Sequence, residues 1–471
     1  MRTRFNVFLL IFAAALFVAC HGKEAATAIQ EPEVVTTTDG TAFSEILGRP
    51  TNTSVTVNIL FNKSSEVYWE FGTTAGNYTG KTVTSTANKD VPLEVDLTSL
   101  TTNTKYYYRV RYRPTGTPTF LAGPEYTFQT PRTSGTSFTF AIEADPHLDD
   151  NSDTTAYTLT LKNILSKSPD FLVDLGDTFF SEKQPVKTQA VVTARHLLLR
   201  SFFDNTCHSV PLFLVLGNHE GEAGWALDGT ANSLPVMASN TRNLYFPNPA
   251  PNTFYSGVSK SENFVGQRKA YYAFEWGNVQ IIVLDPYWYT VSKPGWGWTL
   301  GSDQFSWFKS AITSSKAKYK FVFCHNLVGG NGNDARGGSE FADFFEWGGN
   351  DLNGTASFEK NRPGWGGKSI HTLMKENGAT IFFHGHDHFY DKQDKDGIVY
   401  QEVPQPSNKN ISNTSAADYG YTTGKILPGR GYLLMSVTSN SVKVDYIKTL
   451  LPTEEGANGK NGDVAASYTI N

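Results

Sequence analysis

The sequence predicts two folded units in tandem: an all-β sandwich, then a larger α/β domain with helices outside two stacked sheets. Three observations predict this. Between residues 42 and 132, short β-forming segments follow one another with turn residues between them and no helical period. From Ser137 onward, β-branched and aromatic runs alternate with stretches of helical spacing. Five of those later runs end in a small cluster of Asp, Asn or His.

At 471 residues the chain is long enough for both units. Its formal net charge of -5 supplies no basic footprint for nucleic acid. Arg2 and Arg4 precede an apolar run over residues 7–19, which is short for a membrane span and fits the hydrophobic part of an export signal. Ala19 before Cys20 resembles a bacterial lipoprotein signal. That resemblance implies cleavage before Cys20, lipidation of Cys20, and an exported chain anchored to a bacterial membrane, facing the periplasm or the cell exterior. Residues 21–41 are rich in Ala, Thr, Glu and Gln without an apolar period, and read as a flexible tether. Cys207 and Cys324 would remain as thiols, and sequence alone does not establish a bridge between them. Cys324 lies in an apolar run and reads as core packing.

The sandwich spans residues 42–132. Its strands are expected in SVTVNILF, VYWEFG, LEVDL, YYYRVRY and YTFQT. Leu100, Thr104 and Tyr106 have the spacing of a tyrosine corner, in which a phenol hydroxyl ties a loop to the sheet. The segment resembles a fibronectin type III domain. Residues 131–136 form a short linker, and the α/β domain occupies residues 137–450. Helical spacing marks residues 155–167, 188–203 and a segment behind Ser302, which is expected to cap it. A further helix is expected over residues 369–377, ended by Gly378. Late strands are expected in IVYQEV, GYLLMSV and SVKVDYI. Residues 451–471 form a tail, Gly-, Asn- and Ala-rich after Pro452, that is expected to fray.

The chemistry lies in five pieces: Asp145-Pro146-His147, Gly176-Asp177, Gly217-Asn218-His219-Glu220, His325, and Gly385-His386-Asp387-His388. Each follows a buried-strand run: FTFAIEA, FLVDL, PLFLVL, KFVFC or TIFF. Carboxylate, amide oxygen and imidazole are the donors that hard and borderline cations take, and strand ends of open α/β sheets are where ligands bind. The expected arrangement is a two-cation site. Asp145, His147 and His388 hold one cation; Asn218, His325 and His386 hold the other; Asp177 bridges them. Such a pair acidifies bound water to a hydroxide able to attack phosphorus in line. His219 is the candidate to protonate the leaving alkoxide or brace the transition state, and Glu220 a candidate to orient His219. His384, His196, His208 and His371 read as structural.

These residues resemble the calcineurin-like metallophosphoesterase family, whose pattern is DxH, GDxx, GNH(D/E), a lone His and GHxH. The resemblance covers residues 137–448. It implies a four-layer αββα fold and a dinuclear centre of Fe, Mn or Zn. The preceding sandwich is similar to the N-terminal domain of purple acid phosphatases. Those enzymes carry Gly where this chain has His147, and an iron-binding Tyr where it has Phe180, so one ligand is gained and one lost. Arg336, in the Gly-rich stretch after His325, is a candidate substrate-binding residue beside Asn218 and His219. The tryptophans of Gly295-Trp296-Gly297-Trp298 read as packing under a loop. The expected activity is phosphomonoester hydrolysis of a phosphorylated small molecule. Phosphodiesterase or nucleotidase action by the same centre, and a surface binding module with a vestigial metal site, are the alternatives.

Overall fold

The computed structural model describes residues 36, 37 and 39–471. The expected export signal, Cys20 and most of the tether lie outside the described residues. No described helix is long and apolar enough to cross a membrane.

Two large sheets carry the α/β domain. The first has nine strands in the order Val464–Ile470, Val442–Lys448, Gly431–Val437, Phe138–Glu143, Leu172–Asp174, Leu212–Leu214, Phe43–Thr51, Ser54–Phe61 and Leu93–Thr98. The second has seven: Ser256–Gly257, Tyr272–Trp276, Val279–Val283, Tyr319–Phe323, Ile381–His384, Ile398–Glu402 and Asp391–Lys395. Their facing sides share one core, in which Phe140, Ile142 and Val173 meet Phe274, Ile281 and Phe321. Strand alternation explains the outer faces. Ala141 and Leu172 turn outward against helices Thr154–Ser166 and Gln189–Cys207. Ile282, Val322 and Phe382 turn outward against Ser302–Ser314 and Ile370–Glu376. The result is the expected αββα stack.

The sandwich is built as expected, with a core joining Val57 and Ile59 to Trp69, Tyr108 and Val110 of the opposite sheet. Its tyrosine corner forms: the Thr101 amide donates to the Tyr106 hydroxyl at 2.9 Å. One of its sheets, however, is not separate. Strand Phe43–Thr51 pairs in parallel with the α/β sheet through Gly48 and Leu212. The join is pinned by Arg200, which is buried and uses all five guanidinium N–H groups. Nε donates to Ser44 Oγ (2.8 Å), Nη1 to Asn58 Oδ1 (2.7 Å) and the Tyr245 carbonyl (2.6 Å), and Nη2 to the carbonyls of Ser44 (3.0 Å) and Asn58 (2.7 Å).

Two expectations need correction, and some elements were not foreseen. The C-terminal tail does not fray at its end: Val464–Ile470 is a strand paired antiparallel to Val442–Lys448. Ser302 is the first helical residue rather than the cap, which is Gly301 at φ 76°, a left-handed conformation suited to glycine. Helix Leu234–Tyr245 and the pair Tyr272–Trp276 and Val279–Val283 were not expected. Cys207 and Cys324 are free and buried in different clusters, as core packing requires.

Candidate metal centre

The five pieces meet at one end of the stacked sheets because the loops that carry them are laced together. The Asp145 amide donates to the Gly176 carbonyl at 2.9 Å, and the His147 amide to the Asp177 carbonyl at 3.0 Å. The Gly385 amide donates to the His325 carbonyl at 3.0 Å. Side chains finish the weave: Asp145 Oδ2 accepts from the His386 amide and Asp177 Oδ1 from the His219 amide, both at 2.8 Å. Close approach dictates the glycines. A Cβ on Gly176, at φ 95°, would stand 2.4 Å from the Gly217 nitrogen, and one on Gly217 would stand 2.2 Å from Asp177 Oδ1. Asp145, His147, Asp177, His386 and His388 all adopt left-handed φ between 53° and 78°. Such conformations cost energy in non-glycine residues and persist where the surroundings enforce them.

This lacing consumes one polar atom of several side chains and leaves the other bare. Asp145 Oδ1, His147 Nε2, Asp177 Oδ2, Asn218 Oδ1, His325 Nε2 and His386 Nδ1 are buried without a hydrogen-bond partner. They converge. Asp177 Oδ2 lies 3.0 Å from His325 Nε2, 3.7 Å from His219 Nε2, 3.8 Å from His386 Nδ1 and 3.9 Å from His147 Nε2. Asp145 Oδ1 lies 3.5 Å from His388 Nε2, 3.6 Å from His325 Nε2 and 3.7 Å from His147 Nε2. Three groups have one donor atom per residue within a cation's reach: Asp145, His147 and His388; His147, Asp177 and His219; and Asp177, His325 and His386. Orphaned buried oxygen and nitrogen atoms in this geometry fit a pair of cations, since burial without a partner is otherwise costly. Asp177 Oδ2 faces members of both expected sets, as a bridging ligand would.

The imidazole protons are set from behind. His325 Nδ1 lies 2.8 Å from the Leu175 carbonyl, which can only accept, so Nδ1 carries a proton and Nε2 is the nitrogen turned toward the centre. Burial pushes the His147 imidazole down to about 4, reinforced by His388 and opposed by Asp145 and Asp177; burial also lowers His386. Neutral imidazole is the ligating form. For His325 burial lowers the value, but Asp177 and Asp145 outweigh it and hold the group up at about 10. Asp177 is also pushed up by burial, yet the imidazoles of His219 and His325 keep it well below the usual carboxylate range.

His219 reaches the same spot through a partner the sequence did not disclose. Its Nδ1 contacts Glu182 Oε1, not Glu220. The expectation that Glu220 orients His219 is therefore wrong. Glu220 is buried and accepts from the amides of Thr178 (2.6 Å) and Gly217 (2.7 Å), tying together the loops that carry Asp177 and Asn218. Phe180 packs edge-on against His219 and His147, with ring centroids 4.2 Å and 4.8 Å away, and offers no donor atom.

The centre opens into a cavity of about 400 Å³, lined among others by His147, His219, His388, Arg336, Lys183 and Tyr419. Arg336 is on its wall. Nη1 donates to the His386 carbonyl (2.6 Å) and Asp387 Oδ1 (2.8 Å), while the guanidinium lies 4.2 Å above the Tyr419 ring. Asp387 is held in turn by the Gly337 amide and the Tyr421 hydroxyl, each at 2.8 Å. Behind the loop, Glu402 accepts from the amides of Asp387 and His388 and meets His384 Nδ1 at 2.7 Å. His196, His208 and His371 make local hydrogen bonds away from this cavity. The tryptophan loop packs elsewhere: Trp298 is buried, and Trp296 lies against Phe345 and Phe358.

Known proteins share this fold. The family model described as Calcineurin-like phosphoesterase matches residues 138–390. A solved structure of PhoD superposes with TM-score 0.66 at 15% identity, covering 90% of this chain and 89% of that one. Purple acid phosphatase PPD1 from yellow lupin (Lupinus luteus) seeds superposes with TM-score 0.61 at 15% identity, covering 90% and 73%. No curated protein matches by sequence. At these identities the two structures bear on the fold, and both share its order of an N-terminal β region followed by a mixed α/β domain.

Proposed function

The chain belongs to the calcineurin-like phosphoesterase family, and we propose that it is an exported, metal-dependent phosphomonoesterase that cleaves a phosphorylated small molecule. One observation carries the reading: the buried, unpartnered nitrogens of His147, His325 and His386 lie 3.0–3.9 Å from Asp177 Oδ2, and His388 Nε2 lies 3.5 Å from Asp145 Oδ1. In this proposal Asp145, His147 and His388 would hold one cation, Asn218, His325 and His386 would hold the second, and Asp177 would serve both. Iron, manganese and zinc suit the mixed oxygen and nitrogen donors. When bound, the pair supplies an acidified water as nucleophile and neutralises charge on the phosphoryl oxygens.

The remaining steps belong to the protein. His219 stands 3.7 Å from Asp177 with Nε2 toward the centre, where it can give a proton to the leaving alkoxide. Glu182 on Nδ1 holds that ring in place. Arg336 is fixed through Nη1, and its Nε and Nη2 make no hydrogen bond to the described residues, so they can reach a phosphate oxygen. Phe180 removes the ligand on which a purple iron site depends, so a colourless centre is expected. Export and the lipid at Cys20 rest on the sequence of residues 1–20 alone.

The test is turnover of an aryl phosphate against a bis-aryl phosphate with manganese added, for the intact protein and for Asp177→Ala and His219→Ala. Faster monoester turnover, abolished by Asp177→Ala, supports the reading. Fast diester cleavage with little monoester turnover replaces it with phosphodiesterase action. Unchanged activity in both variants removes this site from the chemistry.

A further inference from the structure

We propose that Lys183 is a substrate-binding cation that selects phosphate groups carrying two negative charges; this rests on the phosphoesterase reading above. The residue follows from Phe180. Where a tyrosine would place an oxygen on a metal, this chain puts a bare ring edge-on to His147 and His219. One face of that ring carries the Lys183 ammonium, 3.8 Å from its centroid. The ring thus holds a positive charge one residue's thickness from the two histidines, at the cavity wall.

The charge is otherwise uncommitted. The described residues give Lys183 no carboxylate within ion-pair distance, and its neighbour Glu182 is spent on His219. Arg336 supplies a second cation on the same cavity, also anchored over an aromatic ring, that of Tyr419. Its charge is partly answered by Asp387 at 2.8 Å, so Lys183 is the freer of the two. A phosphomonoester presents two negative charges at neutral pH and a diester one. Coulomb attraction to a fixed cation scales with that charge, so Lys183 favours the monoester. The ammonium is a compact point charge with rotatable donors, suited to a phosphate oxygen without demanding one orientation.

The experiment compares intact protein with Lys183→Met, which keeps the stem on Phe180, and Lys183→Arg, which keeps the charge. Steady-state kinetics are read with manganese on an aryl phosphate and a bis-aryl phosphate, and binding of inorganic phosphate to the manganese-loaded protein is read by calorimetry. In Lys183→Met the monoester KM should rise about fivefold, the scale of an ion pair at an exposed site, with kcat within twofold. The diester KM should move less than twofold, and Lys183→Arg should restore the monoester KM. Phosphate should bind about fivefold more weakly to Lys183→Met. An unchanged monoester KM and phosphate affinity, or equal shifts for both esters, overturns the role of Lys183. Failure of the intact protein to hydrolyse either ester counts against the phosphoesterase reading instead, and phosphate affinity then decides Lys183 by itself.

Discussion

Nε2 of His386 lies 2.7 Å from the backbone carbonyl of Asp334. A carbonyl only accepts, so the ring proton is on Nε2 and the lone pair on Nδ1 faces Asp177 Oδ2 at 3.8 Å. The loop that supplies the carbonyl is tethered by Lys293. That side chain reaches Asp334 Oδ1 at 3.5 Å and lies 4.3 Å and 5.0 Å from the rings of Trp225 and Trp298. Lys293→Ala should therefore weaken metal binding by about two- to fivefold, the scale of the exposed ion pair it removes, since the Asp334 carbonyl itself remains. Competition with a fluorescent chelator measures it, and a thermal unfolding midpoint within a few degrees of the intact protein separates the effect from loss of fold.

Glu182 and Glu220 should separate cleanly. Glu182→Gln removes the charge beside His219 Nδ1 and should lower kcat about tenfold while KM holds, the signature of an interaction used only in the transition state. His219→Ala should cost on the order of 10² to 10⁴ in kcat. The double variant should be no slower than His219→Ala, because Glu182 acts through His219. Glu220→Ala should instead lower stability and metal affinity together, since Thr178 and Gly217 lose their acceptor.

Arg200 is expected to hold the sandwich to the α/β sheet. Arg200→Ala strands buried acceptors on Ser44, Asn58 and Tyr245, each worth about 1–3 kcal/mol when left unpaired. A loss of roughly 3 kcal/mol or more should appear in urea unfolding, with the metal ligands untouched.

Glu45 gives the fold a pH dependence of definite sign. It is fully buried; Oε1 accepts from Trp69 Nε1 at 2.7 Å and Oε2 has no partner. Burial, aided by Asp204 and opposed by the Trp69 hydrogen bond and Arg200, pushes its carboxyl up from 4.5 to about 8. Between those values the unfolded chain releases a proton that the folded chain keeps, so this group's contribution to stability falls as pH rises from 4.5 to about 8. Glu45→Gln should unfold at a higher temperature than the intact protein at pH ~8.5 and at nearly the same temperature at pH ~4. Calorimetric scans at the two pH values decide it.

The sequence exposed the αββα frame and the Asp and His side chains gathered around Asp145 and Asp177 because both are written locally. A buried strand needs a run of apolar residues, and a ligand set at strand ends needs Asp, Asn and His directly after such runs. Glu182 was not legible: it follows Asp177 by five positions, and nothing in that spacing distinguishes it from Glu220, which adjoins His219. Only the path of the loop through Phe180 brings Glu182 to Nδ1. The strand Val464–Ile470 was masked by the Gly- and Asn-rich stretch before it, and its alternation is weak, with Ala466 its sole fully buried residue. Helix Leu234–Tyr245 was hidden by its Ser, Thr and Asn content, although Pro235 stands in its first turn, where proline is favoured. The parallel join at Gly48 and Leu212 depends on a single register contact that no sequence pattern announces.

The most direct measurement is a titration of metal-stripped protein with manganese, following hydrolysis of an aryl phosphate. Turnover should be absent without metal, rise with added ion and saturate near two equivalents per chain. A chain that stays inactive with manganese, iron and zinc, or that turns over equally well when stripped, would contradict the two-cation centre around Asp177.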